Sequence, residues 1–588
     1  MIRWPSFILL FVWITTPSLV AADPVSDAED AIVALHKSGA IYDKNQYKTV
    51  RAAFAKLFEA THAETIKEAY GEDFDSMTEW LDAHADLKQN LYTALDERYD
   101  KIDKALSLFR SIWKKFPAEL EKHPDLGIAV AVVWDDPRAG YDYRPHQVRT
   151  KSKMPEGLLD GLANFQYLVD NEKMMEGRLR YMPWEFLVYV VDHRTPLDER
   201  KWAREYYQTH KTSKSWHQDV PYDRDMLNAE IAERAGKTSG LKPNLADRDY
   251  TLKNLNRFGG VCAQQADFAA RVAKSVGIPA VYCWGASSYR GLHAWWTYVT
   301  IQKASPETFQ FTLNSDGRFV GFEKDAFFTG NVKDPQTGKE ILDRDMERRL
   351  NLAGRDRVGK RLGTLLMRAY PMLAEKLKWD VKQRVTFLDR CLHVCPRLDE
   401  TWLEFTKLVK DGDLAADQKA VIRPHITSAL VQFKDYPDFL EKLFTDLLSV
   451  FKPEEQVDLH RQAVAQFEKA GRADLACAAR LQIADALIAL KKWQPATDGL
   501  ATTITRFPTE GRFVPKMTLK MQEACGKYKG GNDKLAKLYI DLVPKLIVYY
   551  GRDGLSKYDT ELYKQALAFF DKNDMKKQAA ELKARVRK

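Results

Sequence analysis

A cysteine, a histidine and a polar strand end follow one another in this chain in an order that suits thiol chemistry. Cys262 lies in the segment NRFGGVCAQQADF, and His293 opens the segment HAWWTYVTI. Asn314 and Asp316 end the later segment QFTLNSD. A thiolate attacks a carbonyl carbon, a nearby imidazole exchanges the proton, and a third polar group orients the imidazole. The residue types predict nucleophilic catalysis at a carbonyl carbon, with Asn314 or Asp316 as the third group.

The cysteine is predicted to lie in the first turn of a helix. After it, small or apolar residues recur at the spacing of one helix face: Ala266, Ala269, Ala273 and Val276. Gly259 and Gly260 precede the cysteine, while Gly277 and Pro279 end the pattern. A thiol in this position lies near the positive end of the helix dipole and near backbone N–H donors, and both favour the thiolate.

Strands are predicted to follow this helix. Residues 280–284 have strand composition, and so does the apolar segment that His293 opens. In a third segment Phe309, Phe311 and Leu313 alternate toward one face. A helix packed across such strands can bring the sulfur to the imidazole. The predicted fold class is therefore α+β, with the Cys-bearing helix packed on an antiparallel sheet.

The segments GVCAQQADFAARVAKSVGIPA and GLHAWWTYV resemble the core of the transglutaminase-like superfamily of papain-related thiol enzymes. The family pattern has a Cys at a helix start, a GIPA-type helix end, a His-Ala-Trp strand and an acidic residue that closes the next strand. The resemblance covers residues 254–317 tightly and extends loosely back to Tyr181. It implies that Cys262 is the nucleophile and His293 the base, and it places Asn314 where the family usually has Asp.

The resemblance also implies a reaction and an oxyanion site. Thiolate attack on a carboxamide or peptide carbonyl releases ammonia or an amine, and water or a second amine then resolves the thioester. The backbone N–H of Cys262 is one candidate oxyanion donor, and the family suggests an upstream Trp indole, for which Trp216 is the candidate. Aromatic residues of the same region are candidates for the substrate cleft, although strand aromatics also face cores. They are Trp284, Tyr289, Trp295 and Trp296.

Helical periodicity flanks this core on both sides. The predicted regions are a signal peptide at 1–22, an N-terminal helical region at 23–125, a transglutaminase-like domain at 126–345 with its core at 250–320, and an α-helical region at 350–588. A short apolar run at 128–134, closed by Asp136 and Pro137, predicts β-structure at the start of the domain. Residues 182–207 predict an apolar run, a turn at Pro196 and an amphipathic helix through Trp202.

The C-terminal region resembles tetratricopeptide repeats in one unit. Residues 478–508 have the shape of a helix-turn-helix pair, with Ala484 and Ala496 small where the helices meet and Pro508 at the end. The spacing between such units is irregular, so a plain helical bundle is the alternative. In either form the region is a candidate surface for a protein partner.

The N-terminus has the pattern of a secretory signal peptide. Arg3 precedes an apolar run at 7–14, and Val20 and Ala22 occupy the positions that a signal peptidase reads. Thr15 and the residues after it break the run, so a retained anchor is the less favoured alternative. The mature chain is expected to be exported to the periplasm, the cell envelope or the medium, without a stable membrane span.

Composition excludes several other classes. The chain has 588 residues and a formal net charge of +8 without a dense basic run, so no nucleic-acid groove is predicted. Six cysteines are too few for a disulfide framework, and Cys283 is predicted to pack in the core. Cys391 and Cys395 flank His393 in RCLHVCP, but no second ligand pair follows, so buried apolar cysteines are preferred over a metal site. Neither a metal nor a cofactor is predicted.

These features predict an exported thiol amidase, peptidase or acyltransferase that acts on a protein or peptide substrate. The alternative from another class is a catalytically silent scaffold, in which the thiol domain binds an extended peptide or a glycan. A third interpretation is an adaptor whose function lies in the helical C-terminal region alone.

Overall fold

A computed structural model describes residues 23–136, 143–211, 219–287, 291–305, 308–316, 329–412, 414–511, 513–550 and 557–586. The predicted leader at 1–22, the candidate oxyanion donor Trp216 and the candidate cleft residue Tyr289 lie outside these ranges. Within them the chain is mostly helical and contains a small antiparallel sheet. The predicted α+β class is confirmed.

The N-terminal part is helical as predicted. Its helices continue to Trp134, beyond the predicted boundary at residue 125. They are α1 (Pro24–Ser38), α2 (Tyr47–Thr61), α3 (Ala63–Tyr70), α4 (Phe74–Ala83), α5 (Ala85–Ala94), α6 (Ile102–Lys115), α7 (Pro117–Lys122) and α8 (Pro124–Trp134).

Helix α8 overturns the β-structure predicted at 128–134. Pro124 lies in its first turn with Asp125 beside it, which is a favourable helix start. Every residue from Leu126 to Trp134 is buried, so the helix is apolar on all sides. A continuous apolar run carries no period that separates a buried helix from a buried strand. The wrong prediction of β-structure at 128–134 follows from that ambiguity.

The helices before the sheet are α9 (Arg144–Arg149), α10 (Gly161–Asp170), α11 (Trp184–Val191), α12 (Leu197–His210), α13 (Arg224–Arg234), α14 (Leu252–Phe258) and α15 (Cys262–Ser275). The amphipathic helix predicted through Trp202 is α12. The helix predicted to begin at the cysteine is α15, and its stripe of small residues is buried. Gly277 follows with φ 76°, a left-handed conformation that ends the helix as expected.

The sheet has the strand order β3-β2-β1-β4-β5, and all neighbours are antiparallel. Its strands are β1 (Ala280–Ser287), β2 (Gly291–Ala304), β3 (Phe309–Asp316), β4 (Thr329–Lys333) and β5 (Glu340–Leu342). The strands predicted around residue 280, from His293 and from Phe309 are all present.

Both faces of the sheet are covered. On one face Ala294 and Trp296 pack with the small residues of α15. On the other face Cys283, Trp295 and Val299 pack with helices of the N-terminal part, including α8 and α11. Since successive side chains on a strand point to opposite faces, each residue of β2 belongs to one of these two cores.

The C-terminal part is helical throughout its described residues. Its helices are α16 (Asp343–Arg355), α17 (Arg357–Lys376), α18 (Val381–Val394), α19 (Asp399–Asp411), α20 (Ala416–Gln432), α21 (Pro437–Leu447), α22 (Pro453–Lys469), α23 (Ala473–Ala489), α24 (Trp493–Arg506), α25 (Val514–Cys525), α26 (Gly531–Tyr550), α27 (Lys557–Lys572) and α28 (Lys576–Val586). Helices α23 and α24 form the predicted helix-turn-helix unit, with Ala484 and Ala496 buried. In the described part of the chain, no helix combines the length and the apolar character that crossing a membrane requires.

The hydrophobic cores cross the region boundaries predicted from the sequence. Ile32 of α1 and Val50 of α2 belong to the same core as the helices after residue 352. Met346 and Leu350 of α16 belong to the core formed by the N-terminal helices and the sheet. The regions are therefore held together by shared burial of apolar surface.

A close backbone approach fixes the loop after α15, and it gives a first prediction. A Cβ at Gly177 would lie 1.6 Å from the carbonyl oxygen of Gly277. Backbone cannot move aside as a flexible side chain can, so Gly177→Ala is expected to lower the free energy of unfolding by about 1–3 kcal/mol. Urea denaturation measures the change. Gly526→Ala is the control, because Gly526 has a helical backbone and no atom lies within 4 Å of its added Cβ. Equal stability of the two variants would contradict this constraint.

Candidate functional site

The glycines before Cys262 allow two loops to approach each other closely. Gly259 has φ 83°, and a Cβ there would lie 2.2 Å from the carbonyl oxygen of Pro221. The N–H of Gly260 donates to that same oxygen at 3.0 Å, and the N–H of Asp223 donates to the oxygen of Gly260 at 3.0 Å. The loop at 220–223 is thereby held against the start of α15.

Helix α15 begins at Cys262 itself. Val261 has an extended backbone, and its N–H donates to the side-chain oxygen of the buried Gln264 at 3.2 Å. The first N–H groups of a helix have no acceptor within the helix. They therefore present donors and a partial positive charge beside the thiol, as the sequence predicts.

Cys262 differs from the other cysteines in its exposure. Cys262 is partly exposed, whereas Cys283, Cys391, Cys395, Cys477 and Cys525 are buried. Burial raises the pKa of the Cys525 thiol to about 11 and that of Cys395 to about 12. The core positions predicted for Cys283, Cys391 and Cys395 are confirmed. A reagent in solution therefore meets one partly exposed thiol among the six.

The charge of Cys262 acts on three side chains that the sequence did not single out. Burial raises the pKa of Tyr282 and of Tyr222, and a Cys262 thiolate would raise both further. The pKa of Arg149 is raised chiefly by its hydrogen bonds to Glu230, with Cys262 contributing. The guanidinium of Arg149 binds the Glu230 carboxylate with two nitrogens, at 2.5 and 2.7 Å. A cation and two phenols thus lie within electrostatic range of the thiol.

One of these three neighbours could have been predicted from the sequence, and the other two could not. Tyr282 alternates with Trp284 along β1, and their rings stack with centroids 5.9 Å apart. Strand alternation next to the helix could have identified Tyr282. Arg149 comes from α9 and Tyr222 from the loop at 220–223, and no local pattern in either segment points to a thiol.

His293 lies on the strand that α15 contacts. Its backbone pairs with Gly285 of β1, three residues beyond Tyr282. Strand alternation places the imidazole on the face of Trp295, and the two rings have centroids 6.0 Å apart. Helix α15 packs on the other face of β2, with Ala294 and Trp296. The structure therefore brings α15 onto the strand of His293 and places the imidazole on the opposite face.

Neither candidate third residue lies opposite His293. Asp316 pairs with Trp296 and Asn314 with Tyr298, which are three and five residues along β2 from His293. At about 3.3 Å per residue these offsets are roughly 10 and 16 Å. The amide of Asn314 donates to the hydroxyl of Thr300 at 2.9 Å. The register therefore places neither residue directly opposite His293.

The candidate cleft aromatics differ in how much of each side chain is exposed to solvent. Trp295 and Trp296 are 1% and 3% exposed, so they fill the two cores and do not line a cleft. The physical reason is that both faces of β2 are covered. Trp284 is only partly buried and remains next to Tyr282. Among the candidates that lie within the described residues, Trp284 is the one that solvent reaches.

A buried charge network holds α15 in place. Arg271 donates to Glu199 of α12 at 2.9 Å and lies 3.5 Å from Asp267. Burial lowers the pKa of Arg271, but the two carboxylates outweigh burial and raise it. The guanidinium also stacks over Tyr143 at 4.1 Å. These contacts fix the helix that carries Cys262 against the helices behind it.

Comparison of the chain with protein-family models, with curated proteins and with solved structures finds no match. Its function is therefore inferred from the chemistry and positions of its own residues.

Proposed function

We propose that this chain is an exported, transglutaminase-like thiol enzyme that hydrolyses or transfers acyl groups from amide or peptide bonds. The observation that carries the proposal is the position of Cys262. It is the partly exposed cysteine among the six, and it opens a helix whose first N–H groups lie beside the thiol. Those features favour a reactive thiolate.

In the proposed reaction the thiolate of Cys262 attacks the carbonyl carbon of the substrate amide. The C–S bond forms, the C–N bond breaks, and the leaving amine takes a proton from the imidazolium of His293. Backbone N–H groups at the start of α15 stabilise the oxyanion. Water or a second amine, deprotonated by His293, then attacks the thioester and releases the thiolate.

Asn314 and Asp316 are displaced along β3 from His293, so the proposal assigns catalysis to Cys262 and His293 alone. This two-residue form requires the imidazole to turn from the Trp295 face of β2 toward the thiol. The partly exposed side chains Arg149, Tyr222 and Trp284 are proposed to contact the peptide on either side of the reacting bond.

A catalytically silent peptide-binding scaffold is the second candidate. It is favoured by the same register, because Asn314 and Asp316 are not opposite His293 on the neighbouring strand. The position of His293 also favours the scaffold, because its imidazole lies on the Trp295 face of β2 and α15 packs on the other face. In this case the Cys262 region binds an extended peptide and leaves it intact.

Selective alkylation of the thiol tests the proposal. Iodoacetamide near neutral pH is expected to modify Cys262 faster than the five buried cysteines, because they are inaccessible and remain protonated. Mass spectrometry of proteolytic fragments gives the rate at each thiol. Modification of Cys262 is also expected to stop release of ammonia or amine from a mixture of glutamine-containing peptides.

The matched control is Cys477→Ser, which removes a buried thiol and should leave both readouts unchanged. Turnover that survives complete alkylation of Cys262 would contradict the proposal. Peptide binding without any turnover by the unmodified chain would establish the scaffold in its place.

A further inference from the structure

A histidine and carboxylate cluster lies between α18 and α20, in the helical C-terminal part. Asp389 and His393 are one turn apart on α18, and His425 lies on α20. One potential ligand atom from each of the three side chains lies within 4.8 Å of the other two. This cluster is remote in sequence from Cys262 and His293 and plays no part in the proposed thiol chemistry.

The distances between the donor atoms suit a small metal ion. Nε2 of His425 lies 2.7 Å from Oδ1 of Asp389, and Nδ1 of His393 lies 3.7 Å from the same oxygen. In a tetrahedral zinc site with bonds of about 2.0–2.1 Å, neighbouring donor atoms are about 3.3–3.4 Å apart. The two distances lie on either side of that separation. Nδ1 of His393 also contacts the backbone oxygen of Asp389 at 2.8 Å, so the His393 ring rotates to release Nδ1, or to present Nε2, when the ion binds.

We propose that Asp389, His393 and His425 bind one divalent transition-metal ion, for which Zn²⁺ is the best match. Two imidazoles and one carboxylate are ligands that zinc accepts, whereas calcium and magnesium prefer oxygen alone. The imidazole planes are nearly perpendicular, at 86°, with ring centroids 5.4 Å apart. The rings therefore lie edge to face and do not stack on each other.

The surroundings leave room for an ion to enter and for a fourth ligand. The side chain of His393 is 71% exposed, that of Asp389 is 28% exposed and that of His425 is 16% exposed. One side of the site is therefore open to water, which supplies the fourth ligand. The bound ion would join α18 to α20, two neighbouring helices of the C-terminal core.

The cysteines on either side of His393 are not among the proposed ligands. The CxxxC spacing around His393 was interpreted as buried apolar cysteines in preference to metal ligands, and both thiols are fully buried in the core. Across the helix pair, His393 lies instead beside a histidine from 32 positions later in the chain. Sequence spacing along one helix does not reveal such a neighbour.

Zinc titration of the mature chain tests the proposal. After treatment with EDTA and dialysis, the chain is expected to bind one equivalent of Zn²⁺ at this site in calorimetry, and its melting temperature is expected to rise with Zn²⁺ concentration. His393→Gln, His425→Gln and Asp389→Asn are each expected to weaken binding by about tenfold or more. Asn at position 389 keeps a hydrogen-bond acceptor for His425, so this variant separates metal binding from a simple helix contact.

The control variant is His210→Gln. His210 contacts the carbonyl oxygen of Tyr206 through Nδ1 at 2.7 Å, just as His393 contacts that of Asp389 at 2.8 Å. Its replacement should leave zinc binding unchanged, and so should Cys262→Ser. Circular dichroism confirms that each variant is folded. Absence of zinc binding, or binding that persists in His425→Gln and Asp389→Asn, would overturn the assignment, as would binding that is lost only in Cys262→Ser.

Discussion

Replacing Lys274 by methionine is expected to lower the free energy of unfolding by about 3–5 kcal/mol. The Lys274 ammonium donates a hydrogen bond to Asp192, and both side chains are almost completely buried. Burial lowers the pKa of Lys274 and raises that of Asp192, so each charge depends on its partner. Methionine fills similar space but leaves the Asp192 carboxylate buried without its counter-ion. Urea denaturation at neutral pH measures the loss.

Two further variants make this result specific. Lys44→Met removes an exposed ion pair with Asp356, at 2.7 Å, and should cost less than about 1 kcal/mol. Combining Lys274→Met with Asp192→Leu should recover much of the lost stability, because no unpaired charge then remains. A double variant as unstable as the sum of the single ones would show that the pair does not act as a unit.

Replacing His293 by glutamine is expected to lower kcat/KM for amide turnover by about 10²- to 10⁴-fold. Glutamine keeps a polar group of similar reach but cannot carry the proton between the thiol and the leaving amine. Asn314→Ala is expected to retain activity, because the Asn314 amide is bonded to Thr300 and is five residues along β2 from His293. Ammonia release from glutamine peptides gives the rates.

The pair of variants distinguishes two forms of the site. If Asn314→Ala loses as much activity as His293→Gln, the triad suggested by the family resemblance is correct and the dyad is wrong. If His293→Gln is as active as the unaltered chain, another group acts as the base. His210→Gln, a helix histidine outside the site, controls for effects of replacing an imidazole.

Local patterns predicted the elements of the site well, because its helix and strands carry clear periodicity. The stripe from Ala266 to Val276 predicted α15, and Gly277 ended it where expected. The register of β3 on β2 could not be predicted, since the pairing shifts between Ile301 and Lys303. A shift of one residue changes which side chains meet.

Contacts between residues that are distant in the sequence could not be predicted, for a related reason. Arg149 and Tyr222 reach Cys262 only because distant loops fold against α15, and the buried helix α8 shows no period to identify it. The region boundaries were predicted from changes in local pattern. The cores follow contacts between distant segments, so they cross those boundaries.

The packing of α1 and α2 among the C-terminal helices has a consequence for how the chain reaches its folded state. Lys376 bonds to Glu29, 347 positions earlier, and Ile32 shares a core with residues after 352. Helices α1 and α2 therefore cannot complete their packing until the residues after 352 have been synthesised. Closing so long a loop carries an entropic cost and slows folding. Until then the N-terminal helices stay incompletely packed, with apolar side chains such as Ile32 exposed to solvent or to chaperones.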